Sequence, residues 1–89
     1  MNLSESWYLH VDPDVFKALK RFPARDIGAI LEVLRLLPND PYFGDLQKMK
    51  GDNNVWRRRV GAYRIFYSIK NLERIILVFR VERRSSKTY

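Results

Sequence analysis

VWRRRVGAYRIFYSIK, residues 55–70, has the pattern of a β-hairpin. Val55 to Val60 and Tyr63 to Ile69 are rich in β-branched and aromatic residues, and Gly61-Ala62 between them suits a two-residue hairpin turn. That turn sets the register. Val60 then faces Tyr63, Arg59 faces Arg64, Arg58 faces Ile65 and Arg57 faces Phe66. Cross-strand partners share a side of the sheet, so Arg57, Arg59 and Arg64 project from one face. Trp56, Val60, Tyr63, Ile65, Tyr67 and Ile69 project from the other, which is apolar enough to form a core. Arg58 has core parity and is expected to reach out from the sheet edge.

Working outward, Lys70 to Arg74 forms a looser turn into a third strand, Ile75 to Val81. Strict alternation puts Ile75, Leu77, Phe79 and Val81 on the core face, with Ile76, Val78 and Arg80 opposite. On that reading Ile76, Val78 and Phe66 give the arginines an apolar floor. Upstream, PNDPYFGD (residues 38–45) ends a helix expected from about Ala24 to Leu37, with Ile27, Ile30, Leu31, Leu34 and Leu37 as its apolar stripe. Arg25, Asp26, Glu32 and Arg35 are expected to face away. Pro23 separates it from a first helix that begins at Asp12-Pro13, a cap acceptor followed by proline at the first helical position. This helix turns Phe16, Leu19 and Phe22 inward. Trp7 to Val11 reads as a short strand with Trp7, Leu9 and Val11 on one side. The expected fold is α+β in the order β-α-α-β-β-β. The helix hairpin lies on one face of a four-stranded sheet whose last three strands form an antiparallel meander, and residues 1–89 make a single domain.

Composition narrows the partners. Seventeen Lys and Arg stand against ten Asp and Glu, a formal charge of +7, so the surface favours phosphate backbones or an acidic protein. With no cysteine, disulfides, thiolate metal sites and a cysteine nucleophile are excluded, and a reducing compartment fits. The first residues lack a basic start followed by an apolar run, and no stretch approaches the ~20 apolar residues that cross a bilayer. A soluble, cytoplasmic protein with no membrane partner is expected. His10 has no second histidine or acidic pair near it and reads as structural or solvent-facing. Asp12 and Asp14 read as cap and dipole partners of the first helix. No cofactor or metal motif is present.

Like charges directly across a ladder repel, so Arg59 facing Arg64 costs a few tenths of a kcal/mol where neutral residues would cost nothing. A solubilising outer face and an anion site both fit the pattern. Three converging arginines favour the anion site.

LQKMKG (46–51), RRRVGAYRIFYSI (57–69), ILVFRV (76–81) and ERRSSKTY (82–89), after a β-α-α start that ends in LLPNDP, resemble the RelE/ParE toxin superfamily over nearly the whole chain. The R-V-G-x-Y-R-I-x-Y hairpin is the specific element. The RelE branch, which the resemblance favours, implies the toxin of a type II toxin–antitoxin system, a cytoplasmic, ribosome-dependent mRNA endonuclease. It also implies a cognate antitoxin as partner, with operator DNA bound only through the antitoxin complex. By the resemblance Arg64 falls on the hairpin arginine, Arg83 on the post-strand arginine and Tyr89 on the terminal tyrosine. Arg57 stands where a lysine is frequent. Val55 departs from a second lysine position, and Lys48 and Lys50 are candidates to supply that charge.

Metal-independent RNA cleavage needs an in-line 2′-OH, cations for the developing charge, and proton transfer at both ends. Arginine holds phosphate oxygens in a planar fork and stays charged. Arg64 and Arg57 are assigned to the phosphate, with Arg59, Lys48 and Lys50 as further RNA contacts. By the resemblance, Arg83 lies near the leaving oxygen and Tyr89 near the attacking hydroxyl or stacked on a base. Glu82 is a runner-up base; its strand parity points it elsewhere, toward a structural salt bridge. Two alternatives share this fold: a ParE-like toxin acting on DNA gyrase, and a degenerate member that only binds its antitoxin.

Overall fold

The computed structural model describes residues 6–51 and 54–84. In chain order the elements are β1 (Tyr8–Val11), α1 (Pro13–Leu19), α2 (Ala24–Leu36), β2 (Leu46–Lys48), β3 (Val55–Val60), β4 (Tyr63–Lys70) and β5 (Ile75–Arg83). The strands form one sheet in the order β1-β5-β4-β3-β2. β1 runs parallel to β5, and the remaining pairs are antiparallel. The α+β class and the helix hairpin agree with the sequence reading. The sheet has five strands where four were expected. β2 has only three residues, too few for an alternation pattern. It is defined by its pairing to β3, with Leu46 opposite Arg58 and Lys48 opposite Trp56.

Local chemistry explains the helix ends. Asp12 accepts a hydrogen bond from the Asp14 amide at 2.8 Å, and Pro13 occupies the first helical turn. Pro23 opens α2, its carbonyl accepting from the Asp26 and Ile27 amides at 2.9 and 3.0 Å. Val15 and Leu19, one helical step apart, are the buried residues of α1. Phe16 therefore lies a step around the helix and is exposed, contrary to expectation. In α2 the inward stripe is Ile30, Val33 and Leu34, continuing to Leu37. Leu31 falls at its border and is exposed, while Val33 replaces it in the core.

The helices cover one face, where their apolar residues form a single cluster with Tyr63, Ile65, Tyr67, Ile69, Ile76, Val78 and Val81. The expected parity of β5 is thus reversed over its first half, where Ile76 and Val78 face the core. A β-bulge is the cause. Phe66 pairs with Arg80 and Tyr67 with Val78, so Phe79 has no partner and the ladder slips by one residue. Val81 keeps its core place because it lies beyond the slip.

Two tyrosines fasten the helical layer to the sheet. Tyr63 donates to Asp26 Oδ2 at 2.7 Å, so Asp26 turns inward where sequence periodicity turned it away. Tyr67, fully buried, donates to the Pro41 carbonyl at 3.0 Å. The loop after α2 is held further by Arg58, whose Nη1 donates to the Phe43 carbonyl at 2.9 Å and whose guanidinium lies 4.3 Å from the Phe43 ring centre. Arg58 packs beneath this loop and closes the core at its edge.

Candidate nucleic-acid interface

The face opposite the helices carries two ladder rows of side chains. Tight turn geometry at Gly61, whose φ of +59° suits the first position of the two-residue loop, holds the register that aligns them. In one row Arg59, Arg64 and Glu82 stand side by side on β3, β4 and β5. In the next, Gln47, Arg57, Phe66 and Arg80 run across β2, β3, β4 and β5. Arg57, Arg59 and Arg64 come together with Asp45 and Gln47 around a concavity of about 130 Å³.

Each side chain but one is tethered. Arg57 Nη2 donates to Gln47 Oε1. Arg59 Nε lies 3.2 Å from Asp45 Oδ2, and Arg80 Nη2 lies 2.7 Å from Glu82 Oε1. Arg64 makes no hydrogen bond or ion pair among the described residues and is half-buried. Exposed ion pairs of this kind contribute ~0.2–1 kcal/mol each, so they orient the arginines and yield readily to a phosphate. Phe66 floors the site. It is only 8% exposed although it faces away from the helices, because Arg80 lies 5.5 Å from its ring centre and Phe79 6.4 Å. The bulge supplies that cover. Of the expected floor Phe66 remains, and Phe79 takes the place of Ile76 and Val78, which face the core.

The remaining predicted residues separate. Arg83 pairs with Tyr63 and so points to the helix side, with its guanidinium 5.7 Å from the Tyr63 ring centre. There the Asp26 carboxylate, through its hydrogen bond, is the main cause holding the Tyr63 hydroxyl above its usual pKa, partly offset by Arg83. Lys48 pairs with Trp56 and lies 6.0 Å from that ring centre, again on the helix side. Lys50 is exposed in the turn after β2. Neither lysine joins the arginine face. Tyr89 lies outside the described residues. Glu82, whose strand parity had pointed it away, stands directly across from Arg64, and its expected salt bridge is the one to Arg80. Sequence reasoning did not single out Asp45 and Gln47, since the strand that aligns them is too short to leave a pattern. Among the described residues, no three His, Asp or Glu side chains gather as a metal site requires.

Arg57, Arg59 and Arg64 thus form a basic cluster on the open face of a small α+β sheet. The family model described as ParE toxin of type II toxin-antitoxin system, parDE, matches residues 10–87. The RelE1 protein of Methanocaldococcus jannaschii is 30% identical over 73 residues, 79% of this chain and 81% of that one. Among solved structures, the archaeal RelE–RelB complex from Pyrococcus horikoshii OT3 contains a chain that matches with a TM-score of 0.79. That match has 24% identity and covers 92% of this chain and 99% of the other, a likeness of fold. The RelB–RelE antitoxin–toxin complex from Methanococcus jannaschii matches at 26% identity and a TM-score of 0.71, covering 83% and 88%. The chain belongs to the RelE/ParE family and is a toxin of a type II toxin–antitoxin system.

Proposed function

We propose that this toxin is a ribosome-dependent mRNA endonuclease that cleaves by metal-independent attack of the ribose 2′-OH on the adjoining phosphate. The observation that carries the reading is Arg64: a half-buried guanidinium with no partner among the described residues, flanked by Arg57 and Arg59 on one face. Arg64 and Arg57 hold the scissile phosphate and stabilise its developing charge, and Arg59 contacts a neighbouring phosphate. Phe66 and Phe79 form an apolar floor for a base. Glu82, across from Arg64 in the ladder and ion-paired to Arg80, is assigned as the proton acceptor. Tyr89 is assigned to the attacking hydroxyl or to stacking, as the family resemblance implies, and Arg83 to the leaving oxygen. For Arg83 the assignment requires the end of β5 to turn toward the RNA.

Arginine is a poor proton carrier. Most of the rate therefore comes from positioning, which suits a substrate already arranged by the ribosome. A cognate antitoxin holds the toxin inactive in the cytoplasm, as the RelE–RelB complexes among its structural relatives suggest. Operator DNA is engaged only through that complex. The ParE description of the matching family model favours a second reading, a gyrase-directed toxin. The two are separated by running a translation assay beside a gyrase supercoiling assay. Loss of translation that Arg64→Ala abolishes, with supercoiling unaffected, supports the endonuclease. Inhibited supercoiling with intact translation supports the other.

A further inference from the structure

At the far end of the sheet, on the helix side and away from Arg64, three aromatic rings stand in series. Tyr42 lies edge-on to Trp7 at 6.4 Å and to Trp56 at 5.6 Å, with interplanar angles of 83° in both pairs. Both ends of the series carry a cation. The Arg74 guanidinium lies 4.6 Å from the Trp7 ring centre, and Lys48 Nζ lies 6.0 Å from that of Trp56. The rings come from β3, from the residue preceding β1 and from the loop after α2, so no single element's amphipathicity accounts for the series.

The inner edges of Trp7 and Trp56 pack against the core. Tyr42 does not need to be there for the core: it is 42% exposed. It is nevertheless held rigidly, its amide donating to Asp40 Oδ1 at 3.0 Å and its hydroxyl to Asn71 Oδ1 at 2.9 Å. Arg74 is the other oddity. Its φ is +59°, a left-handed conformation that glycine or asparagine adopts far more readily. An arginine kept at a backbone cost, with its guanidinium over an indole, is better explained by its side chain than by the turn. Asn71 continues this surface into a depression of about 550 Å³ lined by Asn54, Ser68, Lys70 and Glu73, among others. Among the described residues the acidic neighbours are Asp40, whose carboxylate accepts from the Tyr42 amide, and Glu73, and the basic ones are Lys48, Lys70 and Arg74.

We infer that Trp7, Tyr42 and Trp56, with Lys48 and Arg74, form a second RNA-binding site that stacks unpaired bases of single-stranded RNA. Interleaved rings and cations are what such binding uses: every base has a π-face, and each stacked base contributes to affinity without sequence readout. The site is independent of cleavage and fails or stands apart from the arginine face. Its role is to hold a strand that the arginine face does not touch.

Trp7 and Trp56 are the only tryptophans of the chain, so intrinsic fluorescence reports on this site. The probe is a 2′-O-methyl oligoadenylate of about eight residues, within the ~4–16 nucleotides typical of single-strand sites and resistant to 2′-OH attack. Saturable quenching is expected with the full-length toxin, and an abasic oligomer of equal length should not reproduce it. Tyr42→Leu should weaken binding about tenfold or more, while Tyr42→Phe, which keeps the ring, binds as wild type. Should Tyr42→Leu unfold, Lys48→Gln on the exposed edge strand serves instead, lowering affinity and reducing the salt slope by about one. Arg64→Ala should leave the quenching in place. The inference is overturned by absent quenching, by equal quenching with the abasic oligomer, by quenching lost in Arg64→Ala, or by quenching that only the antitoxin produces.

Discussion

At the residue scale, two glycines and a run of arginines show how far a pattern carries. Arg57, Arg59 and Arg64 were legible as one face because a two-residue turn at Gly61-Ala62 admits a single register. The core places of Ile76 and Val78 were not, because alternation counts residues and a bulge adds one; nothing in ILVFRVER marks Phe79 as the extra residue. Gly44 shows a constraint that only the folded chain exhibits. Its φ is +83°, and a Cβ there would run into the Arg58 guanidinium beneath the loop. Gly44→Ala therefore combines a left-handed backbone penalty with displacement of Arg58 from the Phe43 carbonyl. We expect a loss of about 1–3 kcal/mol in urea unfolding. A variant as stable as wild type would mean that Arg58 is not anchored there.

At the element scale, the helical layer is joined to β4 through Tyr63 and Tyr67. Both hydroxyls are raised above the ordinary tyrosine pKa: Tyr63 chiefly by its hydrogen bond to Asp26, and Tyr67 chiefly by burial. The fold thus holds the neutral phenols. Because the folded-state pKa lies above the unfolded value of about 10, this stabilisation is complete below about pH 10. It is lost as pH climbs through the folded-state value. Urea unfolding from pH 8 to about pH 11 should show stability falling at the alkaline end, and Tyr67→Phe should flatten that fall. At neutral pH the same variant leaves the Pro41 carbonyl without its donor and should lose about 1–3 kcal/mol. An identical alkaline slope in both proteins would show that Tyr67 does not set it. The elements themselves were readable where they are long: β3, β4 and α2 emerge within a residue or so of their expected bounds. β2 was hidden because three residues are defined by their neighbour strand and not by their own pattern.

At the scale of the whole molecule, the formal charge is +7, and described cations lie on both faces of the sheet. The arginine rows occupy the open face of the sheet. Lys48 and Arg74 flank aromatic rings on the helix side. Composition indicated a polyanion partner, but only the ladder divides the cations between faces, and it sets Lys48 beside Trp56 and apart from the arginines. Binding of a noncleavable RNA should weaken steeply with salt, and Arg57→Ala and Arg59→Ala should each reduce the slope by about one. Slopes unchanged in both variants would leave those arginines as a solvated face.

The central claim is that Arg64 and its neighbours cleave RNA arranged by the ribosome. Mapping new RNA ends on a messenger, with and without ribosomes, for wild type and Arg64→Ala tests it most directly. Discrete ends are expected only with ribosomes and wild-type toxin, with a drop in rate of at least about 100-fold for the variant. Equal cleavage by the variant, or no cleavage by a wild-type toxin that still arrests growth, would contradict it.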